Sequence, residues 1–136
     1  MKLLLFTALA HIVVDTVALA VQPLWPDLRY RLALSDSEFQ TAYLLWNVAN
    51  SLLQLPIAYW ADRHHARWLI WAGPVVGAAC VGCVGFADSF VALCLLLTLG
   101  GAGIAAFHPE AAALAASSMP ENRSRALSVF SIGGYL

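Results

Sequence analysis

Residues 60–68 read Trp60-Ala61-Asp62-Arg63-His64-His65-Ala66-Arg67-Trp68, a polar hinge set between two apolar runs that are each long enough to cross a bilayer. Asp62, Arg63 and Arg67 cannot lie cheaply in hydrocarbon, because a charge at the centre of a span costs about 2.5–3.5 kcal/mol on insertion scales. The chain must therefore surface there. The runs on either side read as transmembrane helices.

Composition agrees with that reading. Of 136 residues, 61% are hydrophobic and 11% charged, and the mean hydropathy of +0.75 leaves too little polar surface to wet a soluble domain. The expected fold class is all-α, a polytopic transmembrane helical bundle whose partner is the lipid bilayer. No dense basic cluster accompanies the net charge of −1, so no nucleic acid is expected as a partner. Cys80, Cys83 and Cys94 all fall inside apolar runs. Their odd number argues against a disulfide framework, Cys80 with Cys83 lacks a second ligand pair for zinc, and they read as small packing residues.

A span needs about 20 helical residues. Four runs meet that length: 3–25, closed by Pro23 and Pro26, then 39–60, 68–87 and 90–116. A fifth, 126–136, begins after Arg125 and is too short to cross. The chain is thus expected to be an incomplete N-terminal transmembrane half-domain, a fragment of a larger carrier. A cleaved secretory leader is the rival reading of the start, with Lys2, an apolar Leu3–Ala10 run and Ala8-Leu9-Ala10 as the cleavage pattern. Apolar residues continue for more than a dozen positions beyond that cut, which favours a retained span. With the N-terminus inside, cytoplasmic segments hold Lys2, Arg63, Arg67, Arg123 and Arg125, and external ones hold Arg29 and Arg31. That bias sets the expected topology: multi-pass, N-terminus cytoplasmic, in the cell's inner (plasma) membrane. In the external loop, Ser35 and Glu38 form a Ser-x-x-Glu capping box for the second span.

Ionisable groups within spans are costly and tend to mark pathways. His11 and Asp15 are four apart, one turn of the first helix, where a carboxylate can hold an imidazole or share its proton. His108 and Glu110 flank Pro109 in the fourth helix, and the rise per residue brings His11 and His108 to a similar depth. Glu110 alternatively reaches cytoplasmic water from the helix end. The second helix carries a polar stripe of Tyr43, Asn47, Asn50 and Gln54, read as interhelical hydrogen bonding or as cavity lining. Gly73 with Gly77, and Gly100, Gly101 and Gly103, permit close helix approach. Pro109 is expected to kink or loosen its helix beside His108.

The short loop with Asp-Arg and a further Arg, placed between the second and third spans, resembles the first signature of the major facilitator superfamily, Gly-x-Leu-Ala-Asp-Arg-x-Gly-Arg-Lys. Ala61, Asp62, Arg63 and Arg67 match it, while Ala58, Trp60, His65 and Ala66 replace the first glycine, the leucine, the second glycine and the arginine. Within that superfamily the chain resembles the fosmidomycin resistance group of drug exporters. The resemblance is carried by Ala10-His11 with Asp15, Gln54 with a nearby proline before Tyr59-Trp60, Gly-x-Gly followed by Phe107-His108-Pro109-Glu110, and Ser128, Phe130, Gly133 and Gly134.

This resemblance implies a non-enzymatic, twelve-helix secondary carrier, an antiporter for drug efflux and antibiotic resistance. A buried carboxylate would exchange protons as the halves rock. Asp15 is the candidate, with His11 tuning its proton affinity and His108 and Glu110 as further proton-coupling or cavity groups. Asp62, Arg63 and Arg67 would form the conformational latch with the missing C-terminal half. No cofactor is implied, the energy source being a proton gradient, and the substrates would be small amphiphilic or anionic antibiotics. Two other classes remain: a non-transporting scaffold subunit, and a membrane metalloenzyme using His11, Asp15 and His108 as ligands. Neither a nucleophile signature nor a Pro-Cys-x-x-Cys partner supports the enzyme, and no metal is assigned.

The topology is testable in a cysteine-free background. A cysteine placed at His64 should resist an impermeant external reagent, and one at Asp36 should react. The reverse pattern would overturn the orientation.

Overall fold

The computed structural model describes residues 1–135; Leu136, at the end of the expected fifth span, lies outside them. Among the described residues the chain is helical with no strands. The α-helices are α1 (Lys2–Leu19), α2 (Trp25–Arg31), α3 (Asp36–Asn47), α4 (Gln54–His64), α5 (Leu69–Cys83), α6 (Phe90–Ser117) and α7 (Arg123–Gly133). Three helical stretches are long and apolar enough to cross a membrane: Lys2–Arg31, Leu69–Phe86 and Phe90–Ser117.

The first of these is longer than expected. Pro23 and Pro26 do not close it, because each opens a new turn, Gln22–Leu24 or α2, at a first or second position. A missing N–H is no loss at that position, and the fixed φ suits the helix. The rod ends instead at Ala33, whose φ of 48° lets Leu34 N–H reach Arg29 C=O at 3.0 Å. Ser35 then starts α3 as expected. Its Oγ accepts from Glu38 N–H, and Glu38 Oε2 accepts from Ser35 N–H at 2.9 Å. The Ser35 hydroxyl, followed by its N–H, holds the Glu38 carboxyl below its ordinary range. A depressed carboxyl stabilises the fold above the unfolded value and loses that contribution as pH falls through the folded one. An Arg29–Asp36 ion pair closes the loop.

The second expected span is helical in two pieces. Between α3 and α4 lies a π-helical turn, Val48–Leu52. An extra residue in one turn rotates everything after it by about a quarter turn relative to a continuous α-helix. The polar stripe is consequently split. Tyr43 packs near Trp25 and Phe39, with ring centroids 5.5 and 6.3 Å away, whereas Asn50 and Gln54 open onto a cavity. The amides also do not bridge helices. Asn47 donates to Tyr43 C=O at 2.7 Å and Gln54 to Asn50 C=O at 3.0 Å, each within its own segment.

The hinge after α4 is shorter than the sequence implies. Asp62 and Arg63 belong to the last turn of α4, and the reversal is confined to 65–68. His65 makes it by adopting φ 51° and ψ 41°. This is the position of the signature's second glycine, which takes such a conformation without the roughly 1–2 kcal/mol steric cost of a side chain. Arg63 lies 4.2 Å above the Tyr59 ring, and Ala61, Ala66 and Leu69 are buried against Ala106 beneath the turn.

α6 is the central helix, touching α1, α3, the π turn, α4, α5 and α7. Leu93, Leu97, Ile104, Ala105, Phe107, Ala111 and Ala115 are fully enclosed along it. It continues through Pro109 as one α-helix, so the proline does not break it. Its neighbours approach through glycine. A Cβ on Gly103 would stand 2.7 Å from both Gly73 O and Gly77 N, and one on Gly101 would stand 2.9 Å from Asn50 N in the π turn.

Gly103→Ala should therefore force α5 and α6 apart and cost about 1–3 kcal/mol. Gly82→Ala, on the open face of α5 with nothing within 4 Å, should gain about 0.5–1 kcal/mol from helix propensity. Reversible unfolding in detergent measures both. Equal effects would refute the close-packed seam.

Candidate functional site

α1, α6 and α7 meet where His11, Asp15 and His108 converge. Positions 11 and 15 fall one above the other on α1, which turns both side chains toward α6 and α7. The Asp15 carboxylate is the joint. Its Oδ1 lies 3.0 Å from His108 Nε2 and its Oδ2 lies 3.3 Å from His11 Nε2. The other ring nitrogens face backbone carbonyls: His11 Nδ1 is 2.9 Å from Phe130 O on α7, and His108 Nδ1 is 2.8 Å from Ile104 O. Phe130 stacks on the His11 ring at 4.2 Å, and His108 meets it edge-on at 5.1 Å.

All four ring nitrogens thus face acceptors. A neutral imidazole carries only one N–H, and a carboxylate only accepts. With each Nδ1–H donated to a carbonyl, both Nε2 lone pairs point at carboxylate lone pairs, so the cluster lacks positive charge between its three groups. Two added protons satisfy every contact, and removal of either leaves two lone pairs opposed. Because the Asp15–His108 contact joins α1 to α6, the charge between these groups bears on how those two helices hold together, while His11 Nδ1 ties α1 to α7 through the Phe130 carbonyl.

The cluster sits between two cavities. One, of about 230 Å³, is lined by Asp15, Ala18, Asn50, Gln54, His108 and Gly134 among others. The second, of about 280 Å³, is lined by His11, Asp15, His108, Ser131, Gly134 and Tyr135. Gly134 leaves the room between them. A Cβ there would stand 2.7 Å from Asp15 Oδ2 and 2.9 Å from His11 Nε2.

Of the residues singled out in the sequence, His11, Asp15 and His108 come together and Asn50 and Gln54 face the same space. Asn47 does not line either cavity. Glu110 is separated from the cluster: two residues past His108 it points about 200° around α6, into a pocket of about 120 Å³ that it shares with Arg67, Ile70 and Ser117. Arg67 of the expected latch therefore faces α6, while Asp62 and Arg63 are exposed at the end of α4. Sequence reasoning missed Phe130 and Gly134 as parts of the site. The adjacent Gly133 and Gly134 carried the signal, since Gly133 brings α7 against the Ala8 carbonyl, where a Cβ would stand at 2.5 Å.

A family model described as Major Facilitator Superfamily matches residues 4–136. The chain is similar to the fosmidomycin resistance protein of Escherichia coli (strain K12), with 28% identity over 93% of this chain and 31% of that protein. It is also similar to the uncharacterized MFS-type transporter YfnC of Bacillus subtilis (strain 168), with 23% identity over 97% of this chain and 32% of that protein. The chain therefore spans about a third of the length of these curated relatives. No solved structure matches it.

The Asp15–His108 contact should couple α1 to α6 energetically. His108→Phe keeps an aromatic ring but loses both hydrogen bonds, and should cost about 1–2 kcal/mol in detergent unfolding. In a double-mutant cycle with Asp15→Asn the two losses should fall short of additivity by about 0.5–2 kcal/mol. Strict additivity would show that the pair is not coupled.

Proposed function

The chain belongs to the Major Facilitator Superfamily, a family of multi-pass membrane transporters, and from that premise we propose that it is the N-terminal portion of a proton-driven exporter of small molecules. The observation that carries the reading is a carboxylate on one helix held between imidazoles on two, at the wall of a polar cavity. A charged group inside a span is expensive and persists where it serves a pathway. Asp15 is assigned to proton exchange, His11 and His108 to holding its protons, and Asn50 and Gln54 to the substrate side of the cavity.

Similarity to a protein named for fosmidomycin resistance supports export of antibiotics as the task, and the carboxylate between imidazoles supports antiport against protons as the mode. Asp62, Arg63 and Arg67 take the latch role at the cytoplasmic face, engaging a C-terminal half in one conformation. The carrier sits in the inner membrane with its N-terminus cytoplasmic. It performs transport, not bond chemistry.

In a carrier that contains this chain, Asp15→Asn should reduce proton-driven uphill export to background while the protein still reaches the membrane. The assay is substrate movement in vesicles under an imposed pH gradient, with an uncoupler as the control. Retained uphill transport in the variant would overturn the assignment and turn attention to Glu110.

A further inference from the structure

We propose that His11 Nε2, the Asp15 carboxylate and His108 Nε2 form a binding site for one divalent transition-metal ion of the iron-to-zinc range. The three ligand atoms lie within 4.8 Å of one another. The carboxylate presents Oδ1 to His108 Nε2 at 3.0 Å and Oδ2 to His11 Nε2 at 3.3 Å, each close to the spacing of about 3.3 Å between ligands held at 2.0–2.1 Å in tetrahedral geometry, so that an ion between the rings can take either oxygen. Proximity alone would not distinguish a ligand set from a hydrogen-bonded cluster. The backs of the rings add an independent observation. Both Nδ1 atoms face backbone carbonyls, Phe130 O at 2.9 Å and Ile104 O at 2.8 Å. That is the outer-sphere arrangement that fixes a metal-binding imidazole as the tautomer with its Nε2 lone pair free.

The charge pattern points the same way. Two neutral imidazoles and an ionised carboxylate leave all their lone pairs converging, and a single dication satisfies the three groups as completely as two protons do. Space is present on the open side, where Gly134 stands in place of any side chain. The two flanking cavities give access and leave further coordination positions for water or a ligand. Imidazole nitrogen selects borderline metals over magnesium and calcium, which favour all-oxygen sites. The bound ion would tie α1 to α6 beneath the stacked Phe130 ring. This inference concerns binding and does not depend on the transport reading.

The test uses the untagged protein in detergent, stripped with a chelator and titrated with Co²⁺, read by visible d–d absorption, and with Zn²⁺ by calorimetry. One equivalent should bind, Mg²⁺ at the same concentration should not compete, and His11→Gln or His108→Gln should each weaken binding roughly tenfold or more. A double variant of the exposed loop pair, His64→Gln with His65→Gln, should bind as the parent does. Circular dichroism identifies any variant that loses its helices. Should one do so, Zn²⁺-induced shifts of the ¹⁵N resonances of His11 and His108 in the unsubstituted protein decide the question without mutation. Absence of stoichiometric uptake, uptake that disappears with His64 and His65, or unshifted His11 and His108 resonances would each overturn the site.

Discussion

The backbone of α5 lies directly against that of α6 at Gly73, Gly77 and Gly103, and the placement of the polar cluster follows from that approach. Between lipid-embedded helices no water is displaced by association, so contact rests on dispersion at short range and on hydrogen bonds. Small residues permit that range. The same central helix accepts the π turn at Gly101 and carries His108 five and seven residues beyond Gly103 and Gly101. A wider seam would shift α6 relative to α1, which packs on both helices, and a carboxylate-to-imidazole distance of 3.0 Å tolerates little of that.

Three helices meet at one cluster around a carboxylate, and each contribution is of a different kind. α6 contributes an imidazole side chain. α7 contributes a backbone carbonyl and an aromatic face from the single residue Phe130, together with a glycine that makes room. α1 contributes the anion and the second imidazole. An anion shared in this way is more discriminating than an apolar contact, since its geometry depends on how much positive charge lies between the groups.

Much of this was legible in the sequence, because the relevant signals are local. Apolar run lengths fell on the three helical stretches long and apolar enough to cross a membrane, though not on a fourth at 39–60; Ser35 and Glu38 announced the start of α3, and the i, i+4 spacing put His11 and Asp15 on one face. What failed was periodicity across an irregularity. The stripe from Tyr43 to Gln54 presumes unbroken 3.6-residue turns, and the π turn breaks the phase midway. Pro23 and Pro26 read as terminators by type, yet their effect depends on position within a turn, and at first positions they prolong the rod. The roles of the Phe130 and Ile104 carbonyls were invisible because every residue has one. Glu110 shares a motif with His108 but lies on another side of the same helix.

Synthesis of the chain meets these contacts in an uneven order. The partners of α1 lie far downstream: His108 is 93 residues beyond Asp15, and Phe130 is 119 beyond His11. At about 5–20 residues per second of elongation, α1 waits roughly 5–20 s for α6 to leave the ribosome. Throughout that interval it carries a carboxylate whose isolated burial is costly. α5 and α6, by contrast, are neighbours in sequence and can zip together as a hairpin at once. Among the described helices, α1 therefore precedes its partners in the chain and is completed only when α6 and α7 have been made.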